Sequence, residues 1–101
     1  MSVRFDVHES RIEADVAYLD CQADLFGGLK TRVVVPLVRP DEGSGRVTRL
    51  NPLFEVNGSE LLMLTQALVA LPVSALGSKI GNLERERDKI VGALDLLLTG
   101  I

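Results

Sequence analysis

The chain has no tryptophan, one cysteine, one histidine and four aromatic residues in a length of 101. A single cysteine cannot close an internal disulfide, and one cysteine with one histidine cannot build a structural or catalytic transition-metal cluster. Four aromatics are too few for a platform on which single-stranded nucleic acid stacks. A surplus of basic charge is also missing: the net charge is −3 and the isoelectric point about 5.0. Phosphate-gripping proteins usually carry a basic surface, so no direct nucleic-acid partner is expected. There is no P-loop and no G-x-G-x-x-G pattern, and Gly27-Gly28 lacks the spacing to cradle a phosphate. No cofactor and no metal are therefore expected. No apolar run is long enough to span a bilayer, and the start, Met1-Ser2-Val3-Arg4-Phe5, has no signal-peptide core. The expected setting is the cytoplasm, with no membrane partner.

What is present is an ordinary globular balance, 47% hydrophobic and 25% charged. At this length it fits one domain over residues 1–101. Residues 3–7 alternate strictly, with apolar side chains at odd positions, which predicts a half-buried strand. Residues 8–12 read as a turn. A second strand is expected over 15–23, apolar on both faces and therefore central. Residues 31–38 form a valine-rich third strand in which Pro36 marks an edge or a bulge. A polar loop follows at 39–45. Asn57-Gly58, between 53–56 and 59–64, predicts a hairpin with a type I′ turn. Residues 61–71 suit helix by propensity and strand by context, and 75–81 reads as a connection broken by Gly77 and Gly81.

The last element is a helix over 84–98, with Leu83, Ile90, Leu94 and Leu97 on one face. Its charged start, residues 84–89, is a solvated first two turns. Its end differs, because Leu94, Leu96, Leu97 and Leu98 wrap most of the circumference. One sheet covers only one side of a helix, so a second copy of the chain is expected over the other, with Leu94 and Leu97 in a homodimer interface. The whole reads as α+β and mainly β: a small, partly open antiparallel barrel with one packed helix.

Candidate catalysts are scarce. Cys21 sits between apolar neighbours and reads as a buried structural thiol. The serines have no histidine plausibly placed to activate them, and Asp20 and Asp24 have no evident partner acid. Arg32, Arg46 and Arg49 are the arginines that an RNA-cleaving site could use, without a legible acid–base set beside them. Leu25 and Phe26, next to Gly27-Gly28, are either a plug that tucks back or residues displayed to a partner; the plug is the simpler reading.

Four segments then converge: Leu19-Asp20-Cys21-Gln22-Ala23-Asp24, Arg32-Val33-Val34-Val35-Pro36-Leu37, Pro72-Val73-Ser74-Ala75-Leu76-Gly77 and the terminal Gly100-Ile101. In order, spacing and total length they resemble the CcdB toxin family over nearly the whole chain. The resemblance implies an SH3-like barrel with a small extra sheet and a carboxy-terminal helix, assembled as a homodimer. It implies no catalysis. The function it implies is that of a toxin which binds the A subunit of DNA gyrase and traps it on cleaved DNA, neutralised by a CcdA-like antitoxin. By position it assigns gyrase contacts to Leu25, Phe26, Asp95, Leu98, Thr99, Gly100 and Ile101, and so favours display of Leu25 and Phe26. Thr99 departs from the family, which typically carries tryptophan there and clasps a gyrase arginine between the two rings of the dimer. A desolvated cation–aromatic contact is worth about 1–2 kcal/mol. Asp95 and Leu98 likewise stand for the asparagine and phenylalanine of the best-known member, and Asp95 is a candidate to pair with that arginine. Two alternatives remain: a drifted homologue that no longer poisons gyrase, and an endoribonuclease of the Kid and MazF type, which shares the fold.

Overall fold

The computed structural model describes residues 2–40 and 46–100. Seven strands lie in it, β1 (Asp6–Ser10), β2 (Ala17–Asp20), β3 (Thr31–Val38), β4 (Leu53–Val56), β5 (Ser59–Met63), β6 (Val69–Pro72) and β7 (Leu76–Asn82), followed by the helix α1 (Arg87–Thr99). They form one antiparallel sheet in the order β4-β5-β3-β2-β1-β7, with β6 paired beside β5 on the same edge of β3. The sheet curls into a half-barrel: a Cβ built on Gly81 of β7 would stand 3.4 Å from Val56 of β4, at the opposite end of the strand order. α1 fills the trough through Ile90 and Ala93, which meet Val7, Leu19, Val35, Leu37, Phe54, Val56 and Met63 in one core. The mainly-β α+β architecture expected from the sequence is thus the observed one.

Several local readings shift. The first strand begins at Asp6, because Val3 and Phe5 belong to a turn closed by the Asp6 N–H on the Val3 carbonyl at 3.0 Å. Phe5 takes φ +71°, a left-handed conformation that costs an aromatic residue about 1–3 kcal/mol. Burial of its ring, the arginines Arg4 and Arg87 at 4.7 and 5.8 Å from its centroid, and backbone bonds to Asp20 and Leu83 hold it there. Residues 8–10 continue β1 rather than turn, paired with β2 and β7, and His8 is buried there against the Gly77 carbonyl. Of residues 75–81, Ala75 ends a 3₁₀ turn and the rest lie in β7, a strand and not a connection. Gly77 and Gly81 do not break it: a Cβ at Gly77 would come within 2.9 Å of the Glu9 carbonyl, so glycine permits the close, twice-bulged pairing of β7 on β1. Residues 61–71 resolve as β5, a 3₁₀ turn at Thr65–Ala67 and β6.

Pro36 lies inside β3, opposite Tyr18 of β2. Its carbonyl accepts the Leu64 N–H at 2.9 Å, on the far edge where β5 gives way to the 3₁₀ turn. The N and C=O of a strand residue point to the same edge, so the missing proline N–H also faces that gap and no β2–β3 bond is lost. Asn57 and Gly58 take φ +53° and +83°, the type I′ turn expected between β4 and β5.

The convex face of the sheet is the less expected layer, because it buries charge. Asp20 and Arg32, both fully enclosed, pair through Nε and Oδ2 at 2.7 Å. Ser2 donates its hydroxyl to the same Oδ2, and Oδ1 accepts the Gln22 N–H at 3.0 Å. His8 Nδ1 stands 2.9 Å from the Gly77 carbonyl, which can only accept, so Nδ1 carries a hydrogen. Asp6 takes Asn82 Nδ2 at 2.9 Å, Lys79 Nζ at 3.1 Å and the Val3 N–H at 3.0 Å. Burial pushes the Asp6 pKa up, but these three donors outweigh it and hold the carboxyl below its ordinary value.

Two outcomes follow in denaturant titrations. Arg32→Met leaves Asp20 charged and unpaired, and should lose about 3–5 kcal/mol of stability. Adding Asp20→Leu should restore only part, because Ser2 and Gln22 then lose their acceptor. For Asp6 the folded pKa lies below the unfolded one, so its contribution is complete above the unfolded value and drains away as pH falls through the folded one. Stability should therefore drop below about pH 4, and Asp6→Asn should flatten that limb while lowering the neutral plateau.

Candidate functional site

Among the described residues, two exposed apolar groups fall where the family resemblance expects a partner. The first is the 3₁₀ turn Asp24–Phe26 and the residues after it. Its polar side is tied down: Asp24 Oδ1 accepts the Arg4 N–H at 2.8 Å, and Gln22, itself buried, donates Nε2 to the Phe26 carbonyl at 2.9 Å and accepts the Val33 N–H at 3.0 Å. With the backbone so held, the side chains go outward. Leu25 is 85% exposed, Phe26 53% and Leu29 54%. The side chains thus do not tuck back as the plug reading expected. Neither Gln22 nor Leu29 was singled out by sequence reasoning. Leu29 carried the same signal as Phe26, a large apolar residue beside the glycine pair, whereas a buried glutamine holding a turn leaves no such mark.

The second patch is the end of α1. Ile90 and Ala93 are fully buried and Leu94 packs on the core, so the sheet takes more of the helix than its leucines suggested. Leu96 and Leu97 are half-buried and Leu98 is 71% exposed. Gly100 closes the helix at φ +75°, donating its N–H to Leu96, a left-handed cap that suits glycine. Thr99 turns its hydroxyl back onto the Asp95 carbonyl at 2.6 Å and so offers the outside its methyl. Asp95, one turn earlier, is exposed. Ile101 lies outside the described residues. Among the described residues no hydrogen bond or ion pair joins the two patches.

Two clefts of opposite charge accompany the patches. One, about 470 Å³, opens at the mouth of the half-barrel with Glu9, Glu13, Asp15 and Arg39 at its rim and Leu37, Val56 and Ile80 below. The other, about 510 Å³, lies between residues 46–53 and α1 and gathers Arg46, Arg49 and Lys89 with Thr48 and Asp88. Of the three arginines a nuclease could use, Arg32 is sealed against Asp20, while Arg46 and Arg49 share this second cleft.

The structure corrects one chemical expectation. His8 Nε2 does reach a serine, standing 3.1 Å from Ser2 Oγ. The pair is buried, Asp20 takes the same hydroxyl, and neither residue lines a cleft, so it is a structural clasp. Burial, then the Asp20 charge, push the Cys21 thiol up to about 12 against a smaller pull from Arg4, so at neutral pH it is no nucleophile. Among the described residues no group of three acids, histidines or cysteines is placed to hold a metal, and no helix is long and apolar enough to cross a membrane.

The curled half-barrel closed by a terminal helix recurs in solved structures. The chain superposes on an endoribonuclease from Mycobacterial species in complex with its cognate antitoxin, with a TM-score of 0.81, 16% identity, and 97% of this chain and 95% of that one covered. An endoribonuclease from Mycobacterial species without its antitoxin gives 0.80, 16%, 96% and 90%. At that identity the likeness establishes the fold alone. The sequence model of the CcdB protein family matches residues 4–100, and this chain belongs to the CcdB family. Membership places it among the toxins of toxin–antitoxin systems.

If the patches serve a partner and not the fold, Leu25→Ser and Leu98→Ser should each change stability by less than about 0.5 kcal/mol. Ile90→Ala, in the same helix but in the core, should cost about 2–5 kcal/mol. Denaturant midpoints measured side by side check both.

Proposed function

We propose that this chain is a homodimeric toxin that binds the A subunit of DNA gyrase and arrests it on cleaved DNA, without catalysis of its own, until a CcdA-like antitoxin removes it. The observation that carries this reading is the outward display of Leu25 and Phe26 on a turn anchored through the Asp24 carboxylate and the Phe26 carbonyl. Large apolar side chains held rigidly in water cost little ordering entropy when a partner covers them. Leu98, Thr99 and Gly100 supply the second half of the contact, with Ile101 beyond them. Leu97 and the outer side of Leu94 meet their copies across the dimer axis.

Thr99 changes how gyrase would be gripped. Its hydroxyl is occupied by the Asp95 carbonyl, so it offers neither a ring nor a free donor. The exposed Asp95 carboxylate beside it takes the arginine instead, and the contact becomes an ion pair in place of an aromatic clasp. Such a pair at a rim is weaker and more sensitive to salt.

The competing reading is RNA cleavage, favoured by the activity of the two solved relatives. The cationic cleft holds Arg46, Arg49 and Asp88 but no histidine, since His8 is enclosed on the convex face. That distribution of groups supports the gyrase reading over the nuclease.

Purified protein should be added to the host's gyrase with supercoiled plasmid, and in parallel to total RNA. Linear plasmid released by detergent and protease, with intact RNA, is the expected result. Phe26→Ala should raise the dose needed by about tenfold or more, and Thr99→Trp should lower it by a similar factor. RNA fragments with untouched plasmid would reverse the conclusion in favour of the nuclease, and inertness of a folded dimer toward both would identify a drifted homologue.

A further inference from the structure

Gly92 has no structural explanation. It sits in the middle of α1, where glycine is about 0.5–1 kcal/mol worse than alanine. Its φ is not positive, and a Cβ built on it would meet nothing within 4 Å. Neither backbone conformation nor crowding within the chain calls for glycine there. What lies over it is the cleft of about 510 Å³.

The walls of that cleft are charged against the chain as a whole. A protein of net charge −3 brings Arg46, Arg49 and Lys89 together around it, with Asp88 the one acid opposed to them. The arginine wall is pre-set. Arg46 Nε is bonded to the Asn51 carbonyl at 2.8 Å. Asn51 is buried and locks its own turn through the Val47 N–H at 3.1 Å, the Met63 carbonyl at 3.0 Å and Gln66 at 2.7 Å. Lys89, across the cleft on α1, is largely exposed and only loosely paired with Glu86 at 3.7 Å. Between these walls the floor is apolar and nearly flat: Pro52, Leu53, Ala93 and the bare backbone at Gly92.

We propose that this cleft docks an extended acidic peptide segment of a partner protein, its carboxylates on Arg46, Arg49 and Lys89 and its main chain lying over Gly92. Arginine forks match carboxylates in pairs. An apolar floor accepts the small aliphatic side chains that alternate with those carboxylates along an extended strand, and a glycine lets the two backbones approach. A nucleic acid fits less well: of the four aromatics only Phe26 is exposed, on the turn after β2, and it does not line this cleft. Within the toxin reading the segment belongs to the antitoxin; that assignment of the owner is the one part that rests on it, and the cleft's chemistry does not.

The test is fluorescence anisotropy with a labelled synthetic peptide alternating glutamate with leucine and alanine, against its glutamine analogue, inorganic pyrophosphate and a short single-stranded RNA. It needs no gyrase, so its outcome is independent of the gyrase assay. The glutamate peptide should bind and the glutamine analogue should not, with affinity falling as salt rises. The double variant Arg49→Gln/Lys89→Gln should weaken binding by about tenfold or more, whereas Lys30→Gln, elsewhere on the surface, should not. Gly92→Ala should raise the melting temperature and Gly92→Leu should keep the fold, yet both should weaken the peptide. Binding of pyrophosphate or RNA without the peptide, or peptide binding indifferent to Gly92→Leu, overturns the proposal.

Discussion

The buried pair of Asp20 and Arg32 is the interaction on which the rest depends. It joins β2 to β3 on the convex face, where water is excluded and neither charge could remain alone. Its consequences run outward along named bonds. Asp20 Oδ1 fixes the Gln22 backbone, and the Gln22 side chain fixes both Val33 and the turn that presents Leu25 and Phe26. The Asp20 carbonyl takes the Phe5 N–H, and the Phe5 carbonyl takes Leu83, the residue that leads into the terminal helix. The turn of Leu25 and Phe26 and the entry to the terminal helix are thus both tied to the end of one strand. Charge is buried so that apolar side chains can be held in water.

Much of this was legible in the sequence, for reasons that can be named. The I′ turn at Asn57-Gly58 was readable because only such residues take two successive positive φ angles cheaply. The terminal helix was readable from its spacing, although its first turn is a 3₁₀ segment at Glu84–Glu86. Two failures share one cause. Residues 8–10 looked like a turn because they are polar, and 75–81 looked like a connection because of its glycines. In the structure they are partner strands, where His8 is buried with its ring bonded to the Gly77 carbonyl and the glycine admits a close neighbour. Periodicity reports burial of apolar groups and is silent on burial of polar ones. The residues proposed for the interaction came mostly from family resemblance, since an exposed leucine in a glycine-rich turn is ambiguous by itself. Gln22 and Leu29 had to be seen in place.

The relation to the endoribonucleases illustrates how little a fold decides. A half-barrel and helix superposing at a TM-score of 0.81 with 16% identity fixes the path of the backbone and leaves the chemistry open. On this backbone one arginine is sealed into an ion pair, the histidine is enclosed, and the half-barrel mouth is rimmed by three acids and one arginine. That rim carries more acid than base. What the surface offers in its place is apolar side chains on rigid backbone at two points, and a cationic cleft at a third.

The central proposal is that the turn at Asp24–Phe26, held by the Asp20 network, and the end of α1 both contact gyrase. Hydrogen exchange of the protein alone and bound to the gyrase A subunit tests it most directly. The account predicts new protection in residues 24–29 and 95–100 together, with the sheet unchanged. Protection confined to residues 46–53, or binding that leaves both patches exchanging as in the free protein, would contradict it.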